Sequence, residues 1–253
     1  MEILGDLLFE LSSEERMTIL NNLQEEPLKL SHLAQKHSMT VTEASRQLQR
    51  LSDAELISKD VEGFYKITHY GRLILQLLPS LGFVSENRKY FQEHDTSAIP
   101  PEFISRFGEL SNYIFNEDTI SNLLHHMKIL RESEEFCWTA ANQFHLGTPP
   151  LVPEALKKGV DLRTIIPTDL ALPPDFKPAE GVQRRTLPGF NLVVIVSDKE
   201  AVIGLPYLNG KMDHAQYFSI DPNFIKWCKD LFLYYWTKAK PLLSNFSNTL
   251  NNI

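Results

Sequence analysis

The amino-acid sequence predicts an α+β protein in two parts, a helical part that ends in a hairpin and an α/β part. Three observations lead to this prediction. The first eighty residues show helical apolar spacing with two capping-box patterns, followed by two short strand-like runs. From residue 135 onward, strand-like runs alternate with helical segments, and the run 192–196 is apolar throughout. An amphipathic segment after residue 221 predicts a long helix.

Composition favours a soluble, cytoplasmic protein. The chain has 253 residues, 43% of them hydrophobic, which is enough for one large core or two ordinary ones. No apolar run approaches the roughly 18 residues of a membrane span, and the start MEILGDLLFEL is acidic, so no secretory signal is expected. Cys137 and Cys228 are flanked by apolar or aromatic residues, which favours reduced core thiols over a disulfide.

The net charge of −7 argues against a protein that coats nucleic acid by overall attraction. Residues 1–80 contain 8 Lys and Arg against 12 Asp and Glu, and the remaining residues contain 17 against 20. Neither part is basic. Any contact with DNA must therefore come from a basic face that is local.

Apolar spacing and capping boxes predict the helices of the first part. One helical stripe is formed by Ile3, Leu4, Leu7, Leu8 and Leu11. Ser12 and Glu15 have capping-box spacing and open a second helix. After a short helical pattern at 30–34, Thr40 and Glu43 form another capping box. The helix that it opens has four apolar positions on one side, namely Val41, Ala44, Leu48 and Leu51.

The opposite side of this last helix has the composition of a recognition helix. At about 100° per residue, it carries Thr42, Ser45, Arg46, Gln49 and Arg50. Arginine can bind guanine through two hydrogen bonds, glutamine can do so with adenine, and the hydroxyls can bind bases or phosphates. The alternative is an ordinary solvated helix face.

Two strand-like runs, 56–59 and 64–67, follow this helix and are separated by 60–63, which predicts a hairpin. Three short helices followed by a hairpin is the order of a winged helix-turn-helix. Lys59, Tyr65 and Lys66 are then candidates for phosphate contacts from the wing. The stretch 30–71 resembles the winged domain of ArsR-like archaeal regulators. Winged helices also occur in protein-interaction proteins, so the fold is better predicted than its target.

The helix after the wing repeats the spacing of the first stripe. Its apolar positions are Leu73, Ile74, Leu77, Leu78 and Leu81. Two such stripes exceed what a small domain needs for its own core. They are interpreted as a dimer interface, since a palindromic operator requires two-fold symmetry, and the alternative is packing onto the C-terminal part. The predicted domains are 1–82 and 83–253.

Strands and helices alternate in the C-terminal part. The predicted strands are 135–141, 160–166, 192–196, 201–205 and 217–220. The predicted helices include 152–158 and 118–131, the second with the apolar positions Ile120, Leu123, Leu124, Met127 and Leu130. Asp221 and Pro222 are placed as N-cap and first residue of the long helix.

Two stretches of this part, 187–241 and 99–110 (IPPEFISRFGEL), resemble the effector domain of the methanogenesis regulatory protein family. That domain is similar in architecture to the phospholipase-D-like sensor domain of the sugar-responsive TrmB regulators. The resemblance implies a ligand-responsive transcription factor of an archaeon. It does not disclose the operator, the effector, or whether transcription rises or falls.

Motifs for catalysis or metal binding are not assembled, so no enzyme, cofactor or metal site is expected. The phospholipase D signature requires His-x-Lys and, after four further residues, Asp. Here His126 and Lys128 are followed by Ser133 at that place. The dipeptides Asp213-His214 and His125-His126 are weak signals on their own, and no Gly-rich phosphate loop is present.

Candidate ligand-binding residues lie near predicted strand ends, where open α/β sheets often hold ligands. The aromatic and polar candidates are Trp138, Asn142, Phe144 and His145, and the anion-binding candidates are Arg163, Arg184 and Arg185. The alternatives are core packing for the aromatic residues and a solvated surface for the arginines. The sequence therefore predicts a dimeric, ligand-responsive DNA-binding regulator of an operator in double-stranded DNA, and the alternative is a protein-interaction scaffold whose winged helix does not bind DNA.

Overall fold

The computed structural model describes residues 2–142, 149–170 and 179–242. Contacts divide the chain into two compact units, Met1–Leu78 and Pro79–Ile253. The division falls inside one helix, whereas the sequence placed it after residue 82. In the described part of the chain, no helix has both the length and the apolar character needed to cross a membrane.

The first unit is a winged helix-turn-helix with an added helix at each end. Its elements, the last of which runs on into the second unit, are α1 (Glu2–Leu11), α2 (Glu14–Glu25), β1 (Leu28–Lys29), α3 (Leu30–Lys36), α4 (Val41–Asp53), β2 (Ile57–Lys59), β3 (Phe64–Ile67) and α5 (His69–Glu86). The strands form an antiparallel sheet in the order β1-β3-β2. The predicted helices and hairpin are confirmed, and β1 is an element that the sequence did not predict.

Side chains from α2, α3, α4 and the sheet form the core of this unit. Its fully buried members are Ile19, Leu20, Leu33, Leu48, Leu51 and Leu56. The Thr40–Glu43 capping box is confirmed, because each side chain accepts from the other's backbone N–H. The Ser12–Glu15 capping box is wrong by one residue: Ser13 is the N-cap of α2 and accepts from the backbone N–H of Arg16.

A buried arginine fixes α1 to the rest of the unit. Arg16 is only 5% exposed. It donates to the backbone oxygens of Glu10 (2.7 Å) and Phe9 (2.8 Å) in the last turn of α1, and the Ser12 hydroxyl also donates to that of Phe9. It also donates to the Gln47 side chain on α4 at 3.2 Å. One guanidinium group thus joins three helices.

The second unit is an α/β structure around one mixed sheet. Its elements are α6 (Arg88–Glu93), α7 (Pro101–Ile104), β4 (Ile114–Asn116), α8 (Thr119–Glu132), β5 (Phe136–Ala141), α9 (Val152–Lys157), β6 (Asp161–Pro167), β7 (Gln183–Leu187), β8 (Val193–Ser197), β9 (Ala201–Gly204), β10 (Gln216–Ser219), α10 (Pro222–Lys238) and β11 (Lys240–Pro241). Among the described residues, eight strands run in the order β11-β7-β6-β5-β8-β9-β10-β4. The pairs β5–β6 and β6–β7 are parallel and the others antiparallel.

Helices cover both faces of this sheet. Trp138 and Ala140 of β5 belong to an aromatic core with α10, whereas Cys137 and Ala141 belong to a second core with α8 and α9. This alternation follows from the two-residue period of a strand. Strand β8 is buried along its whole length, as predicted. The predicted class, α+β with a winged helix followed by an α/β unit, is confirmed.

Several predictions for the second unit need correction. The polar strands β7 and β11 and the three-residue strand β4 were not predicted. Ile120 and Leu124, which the sequence placed on the apolar stripe of α8, are exposed, and Asn122 and His126 are buried there instead. Asp221 and Pro222 take their predicted positions, and the Asp221 carboxylate accepts from the backbone N–H groups of Asn223 and Phe224.

Candidate functional site

Helix α4 presents a polar, exposed side opposite its buried one. Ala44, Leu48 and Leu51 are buried. The exposed row consists of Thr42, Ser45, Arg46 and Gln49. Arg46 forms no ion pair with any described residue, and the Gln49 amide donates to Asp53 at 2.7 Å. The structure therefore brings four of the five predicted recognition-helix residues together on one accessible surface.

The fifth of these residues, Arg50, is engaged elsewhere. Its guanidinium donates to both carboxylate oxygens of Glu10, at 3.0 and 2.7 Å, and lies 4.9 Å from the centre of the Phe9 ring. The hydrogen bond from Arg50 lowers the pKa of Glu10. A base contact from Arg50 would first have to break this bidentate pair. Arg50 therefore joins α4 to α1 and does not belong to the exposed row.

Val41 corrects the predicted apolar stripe of α4. The sequence placed it on the buried side, but its side chain is 58% exposed at the first position of the helix. Its neighbours along the exposed side are Thr42 and Ser45. The nearby Glu43 carboxylate accepts from the Thr40 backbone N–H at 3.0 Å and from the Thr40 hydroxyl at 2.9 Å.

The wing carries its predicted side chains on adjacent strands. Lys59 of β2 pairs in register with Tyr65 of β3, and its ammonium group lies 5.2 Å from the centre of the tyrosine ring. Lys59 and Lys66 are exposed, and Tyr65 is half-buried. The loop between the strands is held by Asp60, whose carboxylate accepts hydrogen bonds from the backbone N–H groups of Glu62 in the loop and Phe64 at the start of β3.

Both helices at the ends of the first unit expose apolar side chains. On α1 these are Ile3, Leu4, Leu8 and Phe9, and on α5 they are Leu73, Leu77 and Leu81. Ile3 is 84% and Leu77 64% exposed. The remaining stripe residues, Leu7, Leu11, Ile74 and Leu78, pack partly against the core. Each predicted stripe thus divides into a packed side and an uncovered side.

A groove of about 560 Å³ adjoins the apolar side of α1. Its lining comes from α1, the end of α4 and the start of α5, and includes Ile3, Leu7 and Tyr70. The carboxylates of Asp6, Glu10, Asp53 and Glu55 lie around the same groove. Arg50 also lines this groove and is paired with Glu10, so the carboxylates of Asp6, Asp53 and Glu55 give the groove its acidic character.

Two of the predicted ligand-binding residues, Trp138 and Arg163, lie together in the second unit. The Trp138 indole is buried and donates to the Asp161 carboxylate at 3.0 Å. The Arg163 guanidinium lies 4.5 Å from the centre of this ring and forms an ion pair with Asp161 at 2.9 Å. The Arg163 Nε atom is buried without a hydrogen-bond partner among the described residues.

Arg185 and Lys229 extend this group into an arginine–tryptophan cluster. Arg185 lies 4.4 Å from the centre of the Trp236 ring and donates to the Trp236 backbone oxygen at 2.7 Å. Lys229 of α10 lies 5.3 Å from the Trp138 ring centre. The sequence did not single out Lys229 or Trp236, because both belong to a helix whose apolar pattern is explained by core packing.

The other predicted ligand residues do not join this cluster. Arg184 alternates with Arg185 on β7 and faces the opposite side of the sheet, where it donates to the backbone oxygens of Ala179 and Val182. Burial lowers its pKa. Asn142 follows the end of β5 and donates to the Asn191 side chain. The two remaining candidates, Phe144 and His145, lie outside the described residues.

The histidines of the second unit are bound to partners other than those the sequence suggested. Asp213 pairs with buried His94 at 2.9 Å, not with its neighbour His214. His125 contacts Glu200 at 2.8 Å, and His126 contacts Gln216 at 2.7 Å. Across the described ranges, His, Cys, Asp and Glu side chains form no group of three or more that could hold a metal ion. Cys137 and Cys228 are buried and unpaired with each other, and burial raises the pKa of both thiols.

Comparison with known proteins gives one family match. The family described as the HVO_A0261 N-terminal domain matches residues 4–86. No curated protein matches the chain. The match covers the winged helix-turn-helix and α5, and it does not test the resemblance of the C-terminal part to the methanogenesis regulatory protein family, which stays a prediction.

Solved structures with similar folds have low identity to this chain. TrmBL2, an archaeal chromatin protein, has 16% identity and a TM-score of 0.44, with 85% of this chain and 88% of that chain covered. Nuc, a phospholipase D family member from Salmonella typhimurium, has 14% identity and a TM-score of 0.39, with 48% and 90% covered. NucT from Helicobacter pylori has 11% identity and a TM-score of 0.41, with 52% and 100% covered. These values carry no conclusion about function.

Proposed function

We propose that this chain is a DNA-binding transcriptional regulator that acts as a homodimer and binds a small-molecule effector in its second unit. The observation that carries the proposal is the exposed row of α4. Thr42, Ser45 and Arg46 stand on a helix whose opposite side is buried, and they match the hydrogen-bonding groups that base edges present in the major groove. Lys59 and Lys66 on the wing supply charges for the phosphate backbone.

The test of DNA binding uses the full-length chain and a pool of random-sequence duplexes. Repeated selection should enrich a defined duplex, and its affinity should fall as salt rises, because each phosphate contact releases counterions. If no duplex is enriched at low salt, DNA binding is wrong. A partner protein retained under the same conditions would then favour the scaffold alternative, which the excess of 12 acidic over 8 basic residues in 1–80 supports.

The proposed dimer rests on the uncovered apolar sides of α1 and α5. Contact of these leucine and isoleucine side chains with water is unfavourable, and a second copy of the chain that covers them would lower the free energy. A two-fold arrangement would also match a palindromic operator. Light scattering of the unmutated protein at micromolar concentration should give the mass of a dimer, and a monomer would overturn this part of the proposal.

Leu77→Glu is the sharpest variant for this interface, because it places a charge on the apolar side. The matched control is Gln76→Glu, which adds the same charge at the neighbouring exposed position. Leu77→Glu should yield monomers while Gln76→Glu yields dimers. Equal behaviour of the two variants would contradict an interface on this side of α5.

The charge balance of the arginine–tryptophan cluster supports the proposal that the effector binds there. Arg163, Arg185 and Lys229 give this cluster three positive charges, and the Asp161 carboxylate, which pairs with Arg163, gives it a negative one. Arginine side chains in such a group bind carboxylates or phosphates through paired hydrogen bonds. We therefore infer that the ligand is a small anion that is bound and not consumed.

Thermal-shift measurements with inorganic phosphate and with citrate test this inference. A ligand at one hundred times its dissociation constant stabilises the fold by about 2.7 kcal/mol, and an effector must also change the affinity for DNA. Arg163→Met should abolish the shift, whereas Lys157→Met on exposed α9 should not. Turnover of a bound compound would show that the second unit is an enzyme, against the proposal.

A further inference from the structure

We infer that Val41 contacts the methyl group of a thymine in the major groove and so contributes to the choice of sequence. This inference rests on the proposed DNA binding and adds an apolar contact to it. The observation behind it is an exposed valine in a row of side chains that is otherwise polar.

The exposure of Val41 is unusual for its surroundings. Within residues 10–60, all of which the structure describes, it is the one large apolar side chain in the exposed class, at 58%. The other apolar residues of α4, namely Ala44, Leu48 and Leu51, have at most a trace of exposed surface. Val41 therefore adds nothing to the core, and its two methyl groups remain available to a partner.

The neighbours of Val41 indicate which partner. Ser45 lies one turn further on the same side, and Thr42 and Arg46 lie beside them. Hydroxyl and guanidinium groups form hydrogen bonds with base edges and phosphates, and an apolar protein surface offers no such partners. The one carboxylate of the first turn, that of Glu43, accepts hydrogen bonds from the Thr40 N–H and hydroxyl groups, which hold it at the start of the helix.

The chemistry of the major groove supplies an apolar group at this place. Residues at the N-terminal end of a recognition helix lie closest to the base edges. Among the four bases, thymine alone presents a methyl group there, at C5. A valine at the first position of α4 can cover that methyl group, which cytosine lacks. The expected specificity is therefore for thymine over cytosine at one position of each half-site.

The experiment replaces single thymines by deoxyuridine in the duplex selected by the unmutated protein. Deoxyuridine pairs identically but lacks the C5 methyl group. One thymine position in each half-site should be sensitive. A single replacement at that position should weaken binding of the unmutated protein about three- to fivefold, as expected for one buried methyl group. Val41→Ala should bind the thymine and deoxyuridine duplexes equally at that position. Val41→Ile, which keeps the apolar contact, should retain the preference.

The control is Val61→Ala, which makes the same change at the exposed valine of the wing loop and should keep the thymine preference at that position. The thermal stability of Val41→Ala should equal that of the unmutated protein, because the side chain is not in the core. If every deoxyuridine effect persists in Val41→Ala, the inference is wrong while DNA binding stands. If no duplex is selected at all, the proposed function and this inference fail together.

Discussion

On α4, Arg46 forms no ion pair with any described residue, whereas Arg163 in the second unit lies over the Trp138 ring and is paired with Asp161. On binding DNA, the Arg46 guanidinium would give up contacts with water only and gain contacts with a base or a phosphate. On binding a ligand, Arg163 would have to share its contacts with Trp138 and Asp161, or give them up, although they already stabilise the sheet. Arginines in one chain thus serve different purposes according to what surrounds them. Under the proposed function, Arg46 would meet DNA without giving up an ion pair, and the second unit would respond when an anion competes for the contacts of Arg163.

The largest effect in this comparison is expected from Arg16→Met. Loss of the guanidinium leaves the Phe9 and Glu10 carbonyls and the Glu10 carboxylate with fewer donors in a buried place. The free energy of unfolding of the first unit should fall by about 2–4 kcal/mol, measured by urea titration followed by circular dichroism. Arg46→Met, the exposed counterpart, should change it by less than about 0.5 kcal/mol. Equal losses would remove the distinction between paired and free arginines.

Arg46→Ala should weaken binding to the selected duplex by about 1–3 kcal/mol, or roughly five- to 150-fold, because a bidentate base contact is lost. Lys66→Ala should weaken binding to all duplexes alike, since a phosphate contact carries no sequence information. Fluorescence anisotropy with the selected and a scrambled duplex separates the two. Arg72→Ala, an exposed arginine outside the row, is the control, and an equal loss there would contradict the assignment of α4.

Arg163→Met should lower the free energy of unfolding of the second unit by about 1–2 kcal/mol. The variant keeps most of the apolar stem but loses the cation over Trp138 and the half-exposed pair with Asp161. Tryptophan fluorescence during urea unfolding reports this unit. Should Lys157→Met cost as much, the effect would not come from the cluster.

The smallest effect is expected from acid. Burial alone would raise the pKa of Asp213, but hydrogen bonds from His94, the Ala215 backbone N–H and Tyr207 bring it below the ordinary value of 3.8. A carboxyl group with a lowered pKa stabilises the fold above its unfolded value, and this contribution disappears as pH falls through the folded value. Unfolding followed from pH 5 to pH 3 should show a loss of stability that is smaller in Asp213→Asn. If the stability of Asp213→Asn falls as steeply with pH as that of the unmutated protein, the pH dependence does not come from Asp213.

Local signals in the sequence were sufficient for the elements but not always for their ends. The Thr40–Glu43 box and the Asp221-Pro222 pair were predicted, because capping depends on neighbours within four residues. Ser12 was chosen over Ser13 since both residues suit an N-cap, and only the fold decides between them. In strand β7, with the sequence QRRTL, apolar and polar residues do not alternate. On the side that faces α10, Arg185 packs against the helix and lies over the Trp236 ring.

The candidate sites were harder to predict where a partner is distant in sequence. Arg50 was assigned to DNA because the Glu10 carboxylate that binds it lies 40 residues away. Val41 was assigned to the core because a helical wheel shows on which side of the helix a residue lies. It does not show how far along the helix the core extends. Arg184 and Arg185 were grouped as sequence neighbours, although a strand sends adjacent side chains to opposite faces.

The Glu10 carboxylate is shared by Arg16 and Arg50, at 3.1 and 2.7 Å. Any relative that loses this carboxylate is left with two arginines close together and no counter-charge. Positions 10, 16 and 50 should therefore change together when related sequences are aligned, even though the first and last lie on different helices. Position 46, which has no such partner among the described residues, should instead vary independently of them.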